Sequence, residues 1–79
     1  MTFLVVDVSK NAKGSKIAYT ISDTRDGSLV GTAIVNYNKR QCFWYYLSTR
    51  GRKIKTEETK KKMANAVSRY CEARNGNTV

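Results

Sequence analysis

Residues 29–47 read LVGTAIVNYNKRQCFWYYL, and their pattern decides the fold. Gly31, Ala33, Val35 and Tyr37 alternate with Val30, Thr32, Ile34 and Asn36, the period-2 signature of a strand with two unlike faces. Asn38-Lys39-Arg40-Gln41 interrupts the pattern with a short polar turn. Cys42-Phe43-Trp44-Tyr45-Tyr46-Leu47 follows, the most aromatic run in the chain and again strand-forming. Two strands joined by so short a turn pair antiparallel. The small side chains of Gly31 and Ala33 mark a face over which something can pack closely. Phe43 and Trp44 are expected in the core, with Tyr45 and Tyr46 shared between core and surface.

The same reading extends toward the N-terminus. Ile17, Tyr19 and Ile21 alternate with Ala18, Thr20 and Ser22, a half-buried strand. Asp26-Gly27 ends it in a turn, because glycine takes positive φ without steric cost. Thr2 to Val8 is rich in β-branched residues and reads as a further strand. Strict alternation puts Leu4, Val6 and Val8 on one face and Phe3, Val5 and Asp7 on the other. The polar stretch Ser9–Ser15 links these two strands.

Toward the C-terminus, Ser48–Lys55 is a basic connection with Ile54 as its one apolar anchor. Thr56 then suits a helix N-cap, with Glu57 and Glu58 in the first turn, where the helix dipole favours negative charge. Met63, Ala66, Val67, Tyr70 and Ala73 fall on one stripe of a helix running from Glu57 to about Arg74. A sheet with one apolar face and a single amphipathic helix must cover each other. The expected fold class is α+β: a four-stranded antiparallel β-meander with one C-terminal amphipathic α-helix on one face (ββββα). The 79 residues are read as a single small domain spanning residues 1–79.

Charge is the second strong signal. The chain carries 15 Lys+Arg against 6 Asp+Glu, a net +9, and no histidine. Residues 1–38 hold four bases and three acids, net +1, whereas residues 39–79 hold eleven bases and three acids, net +8. An asymmetry of this size points to a polyanionic or acidic partner for the second half. The candidate binding cations are Lys39, Arg40, Arg50, Arg52, Lys53, Lys55, Lys60, Lys61, Lys62 and Arg69, with Lys61, Lys62 and Arg69 expected outward on the helix. Tyr45 and Tyr46 are the candidates for stacking on bases.

Catalysis is hard to build from this composition. Without histidine, Ser-His and Cys-His nucleophile pairs are excluded. Two cysteines, Cys42 and Cys71, cannot close a zinc site and are expected as half-buried free thiols, with a Cys42–Cys71 bridge as the alternative. No enzyme activity, metal or cofactor is expected. No apolar run approaches the length of a membrane span, and nothing resembles a signal peptide, so a cytoplasmic protein without membrane contact is expected.

Three partial resemblances accompany these readings. Asp7 at the end of Leu4-Val5-Val6-Asp7-Val8 resembles the first strand of ribonuclease-H-like nucleases, but a single Asp does not hold the metal pair those enzymes use. Lys60-Lys61-Lys62-Met63-Ala64 resembles the lysine-rich start of the last helix in double-stranded-RNA-binding domains, whose first helix has no counterpart here. Residues 17–70 resemble in outline the sheet-plus-helix DNA-binding domains of the integrase-arm kind.

The expected function is a small non-catalytic basic protein that docks on DNA or RNA mainly through phosphate contacts. The alternative is a phage- or mobile-element-type inhibitor that binds an acidic surface of a host nucleic-acid-handling complex: a defence nuclease, an RNA-guided effector such as CRISPR-Cas, or a polymerase. A third reading is assembly, in which the first strand, at a sheet edge, pairs with a copy of itself.

Overall fold

Four strands and a helix follow one another along the chain: β1 (Phe3–Lys10), β2 (Lys16–Asp23), β3 (Leu29–Asn38), β4 (Gln41–Ser48) and α1 (Glu57–Gly76). They are seen in a computed structural model that describes residues 2–38 and 41–76. The strands form one antiparallel sheet in sequence order, β1-β2-β3-β4, and the helix packs on one face. This is the expected ββββα architecture.

The β2–β3 reversal forms where Asp26-Gly27 predicts it. The Gly27 N–H donates to the Asp23 carbonyl at 2.8 Å, and Gly27 sits at φ 73°. The Asp26 carboxylate accepts from the Ser28 N–H and hydroxyl, while the Asp23 carboxylate accepts from the Arg25 N–H and guanidinium. These bonds hold both carboxyls below the usual carboxylate value.

The core lies between sheet and helix. Phe3, Val5, Tyr19, Ile21, Ala33 and Val35 come from the sheet, and Met63, Ala66 and Val67 from the helix. Ile21, Val35 and Met63 are fully buried, each such side chain contributing about 1.5–3 kcal/mol. The helix register of Met63, Ala66 and Val67 is as read from sequence, with Tyr70 half-buried. Ala73 is exposed, so the stripe ends one turn early.

Alternation in β1 does not hold as expected. The strand pairs Val5 with Ile21 and Asp7 with Thr20, so Val6 is an extra residue in a bulge. Phe3 and Val5 therefore face the helix and Val8 packs with them, while Leu4 and Val6 are exposed. An unbroken strand would have carried Asp7 beneath the helix, and the bulge keeps that carboxylate in water.

Two further expectations are corrected. Phe43 and Trp44 are 48% and 42% exposed, not core. Cys42 is exposed rather than half-buried, while Cys71 is half-buried and both are free thiols, as expected. Phe43 opposes Asn36 on the sheet face that carries no helix, whereas Trp44 and Cys42 are on the helix side and owe their exposure to the off-centre helix. It lies mainly on β1, with less contact to β2 and β3, and leaves the helix-side face of β4 partly open.

Candidate nucleic-acid interface

The register of β4 on β3 sets which aromatic rings meet. Ala33 opposes Tyr46 and Val35 opposes Trp44, so Trp44 and Tyr46 stand on the helix side with the buried residues of β3. Tyr45 opposes Ile34 on the other face. The two stacking candidates, Tyr45 and Tyr46, are thus on opposite faces of the sheet. The partner of Tyr46 is Trp44, which sequence reasoning placed in the core.

Trp44 and Tyr46 lie nearly parallel, with centroids 6.4 Å apart and planes 14° from each other. Tyr19 continues the row on the buried side, 6.2 Å from Trp44 at 21°. Tyr70 of α1 meets Tyr19 edge-on at 6.0 Å. The exposed end of the row is therefore anchored by a buried one, which fixes the rings in place without closing them off.

A groove runs along this row between β4 and α1. At the start of the helix Tyr46, Glu57, Glu58, Lys60, Lys61 and Ala64 line a hollow of about 570 Å³. It continues into a smaller one lined by Trp44, Tyr46, Ala64, Val67 and Ser68. Burial pushes the Tyr46 phenol above its ordinary value, while the nearby Lys60 ammonium pulls it the other way.

The connection from β4 to α1 runs along the outer edge of β4 at Tyr46–Ser48. The Ser48 N–H donates to the Arg52 carbonyl at 2.7 Å and the Ile54 N–H to the Tyr46 carbonyl at 2.9 Å. The Ser48 hydroxyl also accepts from the Arg50 and Arg52 N–H groups. Ile54 packs against the core. Arg50, Arg52, Lys53 and Lys55 are thereby held on an ordered, exposed loop beside Tyr46.

The helix cations divide. Lys60 and Lys61 face the groove, Lys60 paired with Glu57 at 2.8 Å. Lys62 pairs with Glu58 at 3.3 Å and lies 6.0 Å from the centre of the Phe3 ring, on the β1 side. The Arg69 guanidinium donates to the Phe3 carbonyl at 2.9 Å, also on the β1 side. Lys61, Lys62 and Arg69 therefore do not form one outward row. Lys39 and Arg40 lie outside the described residues. Among the described residues, Arg50, Arg52, Lys53, Lys55 and Lys61 make no ion pair within 4.0 Å.

No three of Cys, Asp and Glu among the described residues gather as metal ligands. No described helix is long and apolar enough to cross a membrane. Comparison with protein-family models, with curated proteins and with solved structures gave no match.

Proposed function

We propose that the protein is a non-catalytic nucleic-acid-binding module that takes a single strand along the groove between β4 and α1. The observation that carries this reading is the pair of parallel, half-exposed rings of Trp44 and Tyr46 beside Lys60 and Lys61. Unstacked bases find π-faces on the rings. The phosphates find the ion-pair-free cations of Lys61 and the Arg50–Lys55 loop, and docking releases the counterions around them. A duplex hides its base faces, so the rings favour a single strand.

Trp44 is the sole tryptophan, so its emission reports on the groove alone. Titration with a mixed-sequence oligonucleotide at low salt is expected to quench it, and added salt to restore it. Tyr46→Leu is expected to weaken binding about tenfold or more, since one base–aromatic stack contributes about 1–3 kcal/mol. Unchanged Trp44 emission together with no gel shift for either DNA or RNA at low salt would overturn the reading.

The second reading is inhibition by docking on an acidic protein surface. The face of the sheet away from the helix supports it, because Leu4, Leu29 and Phe43 are exposed there. Apolar exposure of this kind suits a protein partner better than phosphates. A partner captured from lysate after complete nuclease treatment favours this second reading, and one lost on that treatment favours the first.

A further inference from the structure

The row of rings beside the groove leads to a further hollow. Val67 and Ser68 line the groove next to Trp44, and the next turn of α1 brings Tyr70, Cys71 and Arg74 over a space of about 290 Å³. Tyr19 and Lys10 line it from the sheet, with Lys10 opposite Ile17 at the end of β1. Tyr19 is the link, since its ring stacks on Trp44 and meets Tyr70 edge-on.

The lining of this hollow is rich in hydrogen-bond donors. The Arg74 guanidinium donates to the Tyr70 hydroxyl at 3.0 Å, which leaves four of its five N–H groups and the Tyr70 O–H available. Its carbon also lies 5.8 Å from the centre of the Tyr70 ring, so the side chain is held in place. Lys10 adds an ammonium, and neither cation makes an ion pair among the described residues. Tyr19 is 7% exposed, and among the described residues its hydroxyl has only the Cys71 thiol, a weak partner at 4.0 Å. No described carboxylate lines the hollow. Two cations and two phenols with no acid among them fit an anion that presents several oxygens.

The groove selects which anion. Tyr46 and Trp44 offer ring faces to bases, but the Tyr19 ring is buried, so stacking stops at Trp44. The group that follows the last stacked base then meets donors in place of rings. A backbone diester presents two unesterified oxygens and a single charge. A terminal monoester presents three oxygens and a charge of about −1.5 to −2 at neutral pH, and so uses more of the donors.

We infer that the hollow under the last turns of α1 binds the terminal phosphate of the strand held in the groove, through Arg74, Lys10 and the hydroxyls of Tyr19 and Tyr70. Resting on the single-strand reading above, this site adds to it a preference for one phosphorylated end.

The test compares single-stranded oligonucleotides of one sequence, phosphorylated at the first end, at the last end or at neither, by quenching of Trp44 emission at constant ionic strength. One of the two phosphorylated strands is expected to bind at least tenfold tighter than the unphosphorylated one, the gain of a charge-assisted contact. The double variant Lys10→Gln, Arg74→Gln changes two exposed side chains and is expected to bring that affinity ratio close to one. Tyr46→Leu is expected to weaken all three strands and keep the ratio. Inorganic phosphate at millimolar concentration is expected to erase the advantage of the phosphorylated strand in the wild type, which decides the matter if the double variant fails to fold. Three strands of equal affinity overturn the inference and leave the groove reading standing. So does a folded double variant that keeps the ratio, or an advantage that inorganic phosphate leaves untouched. No binding of any strand overturns the groove reading and the end preference together.

Discussion

A β-carbon on Gly31 would run into the Leu47 carbonyl oxygen on the neighbouring strand, whereas one on Gly27 would meet open space. Gly31 is thus required by the close approach of β4, and Gly27 only by its positive φ. Gly31→Ala is expected to cost about 2–3 kcal/mol through forced strand displacement. Gly27→Ala is expected to cost about 1 kcal/mol for the left-handed conformation alone. At roughly 4–8 °C per kcal/mol for a domain this size, thermal melts separate the two. Equal losses would show that the Gly31 contact relaxes freely.

Tyr19 carries a second residue-scale expectation. Burial, with the Cys71 thiol at 4.0 Å from its hydroxyl, pushes its phenol up to about 12. The unfolded chain ionises this group near 10, so between pH 10 and 12 only the unfolded state gains the charge. The stability that neutral Tyr19 supplies is complete below pH 10 and is lost as pH rises toward 12. Denaturant melts across that range should show a decline that Tyr19→Phe reduces. An unchanged alkaline slope in Tyr19→Phe would assign the decline to other groups.

At the scale of elements, the strand order and helix were legible because each has a local cause: period-2 runs, turn glycines and the Met63–Tyr70 stripe. What escaped was sheet geometry. One helix, about 10–12 Å across, cannot cover four strands spaced about 4.8 Å apart. An outer strand must stay partly bare, and that is why Trp44 is exposed on the helix side, while Phe43 is exposed because its face of the sheet carries no helix at all. Periodicity alone does not say which edge the helix leaves. Tyr46 was legible as a candidate for stacking, while the exposure of Trp44 was hidden by the same rule that places tryptophan inside small domains.

The β1 bulge was equally invisible, because strict alternation assumes an unbroken ladder. Its role can be checked by deleting Val6. The shortened strand alternates regularly, with Phe3, Val5 and Val8 still inward and Asp7 still opposite Thr20. Deletion is therefore expected to preserve the fold at a cost within about 1 kcal/mol, the range of a change at an exposed site. A chain that fails to fold without Val6 would show that the bulge does more than re-phase the strand.

Across the whole molecule, the +8 of the second half does not act as one surface. Glu58 and the Phe3 ring hold Lys62, and the Phe3 carbonyl holds Arg69, so those two cations serve the joint between helix and β1. Lys61 lines the aromatic groove, Arg52 and Lys53 are held on the edge of β4 next to Tyr46, and among the described residues none of the three makes an ion pair. If a single strand docks there, each phosphate neutralised contributes about 0.7 to the slope of log affinity against log salt. Replacing Arg52, Lys53 and Lys61 by Gln should flatten that slope by about 2, three times the single-phosphate value. Replacing Lys62 and Arg69 should leave the slope unchanged and lower the melting temperature instead. Binding isotherms at several salt concentrations, run beside thermal melts, separate the two sets. Equal flattening by both would mean that the charge acts through its total, and the groove would lose its claim to direct the strand.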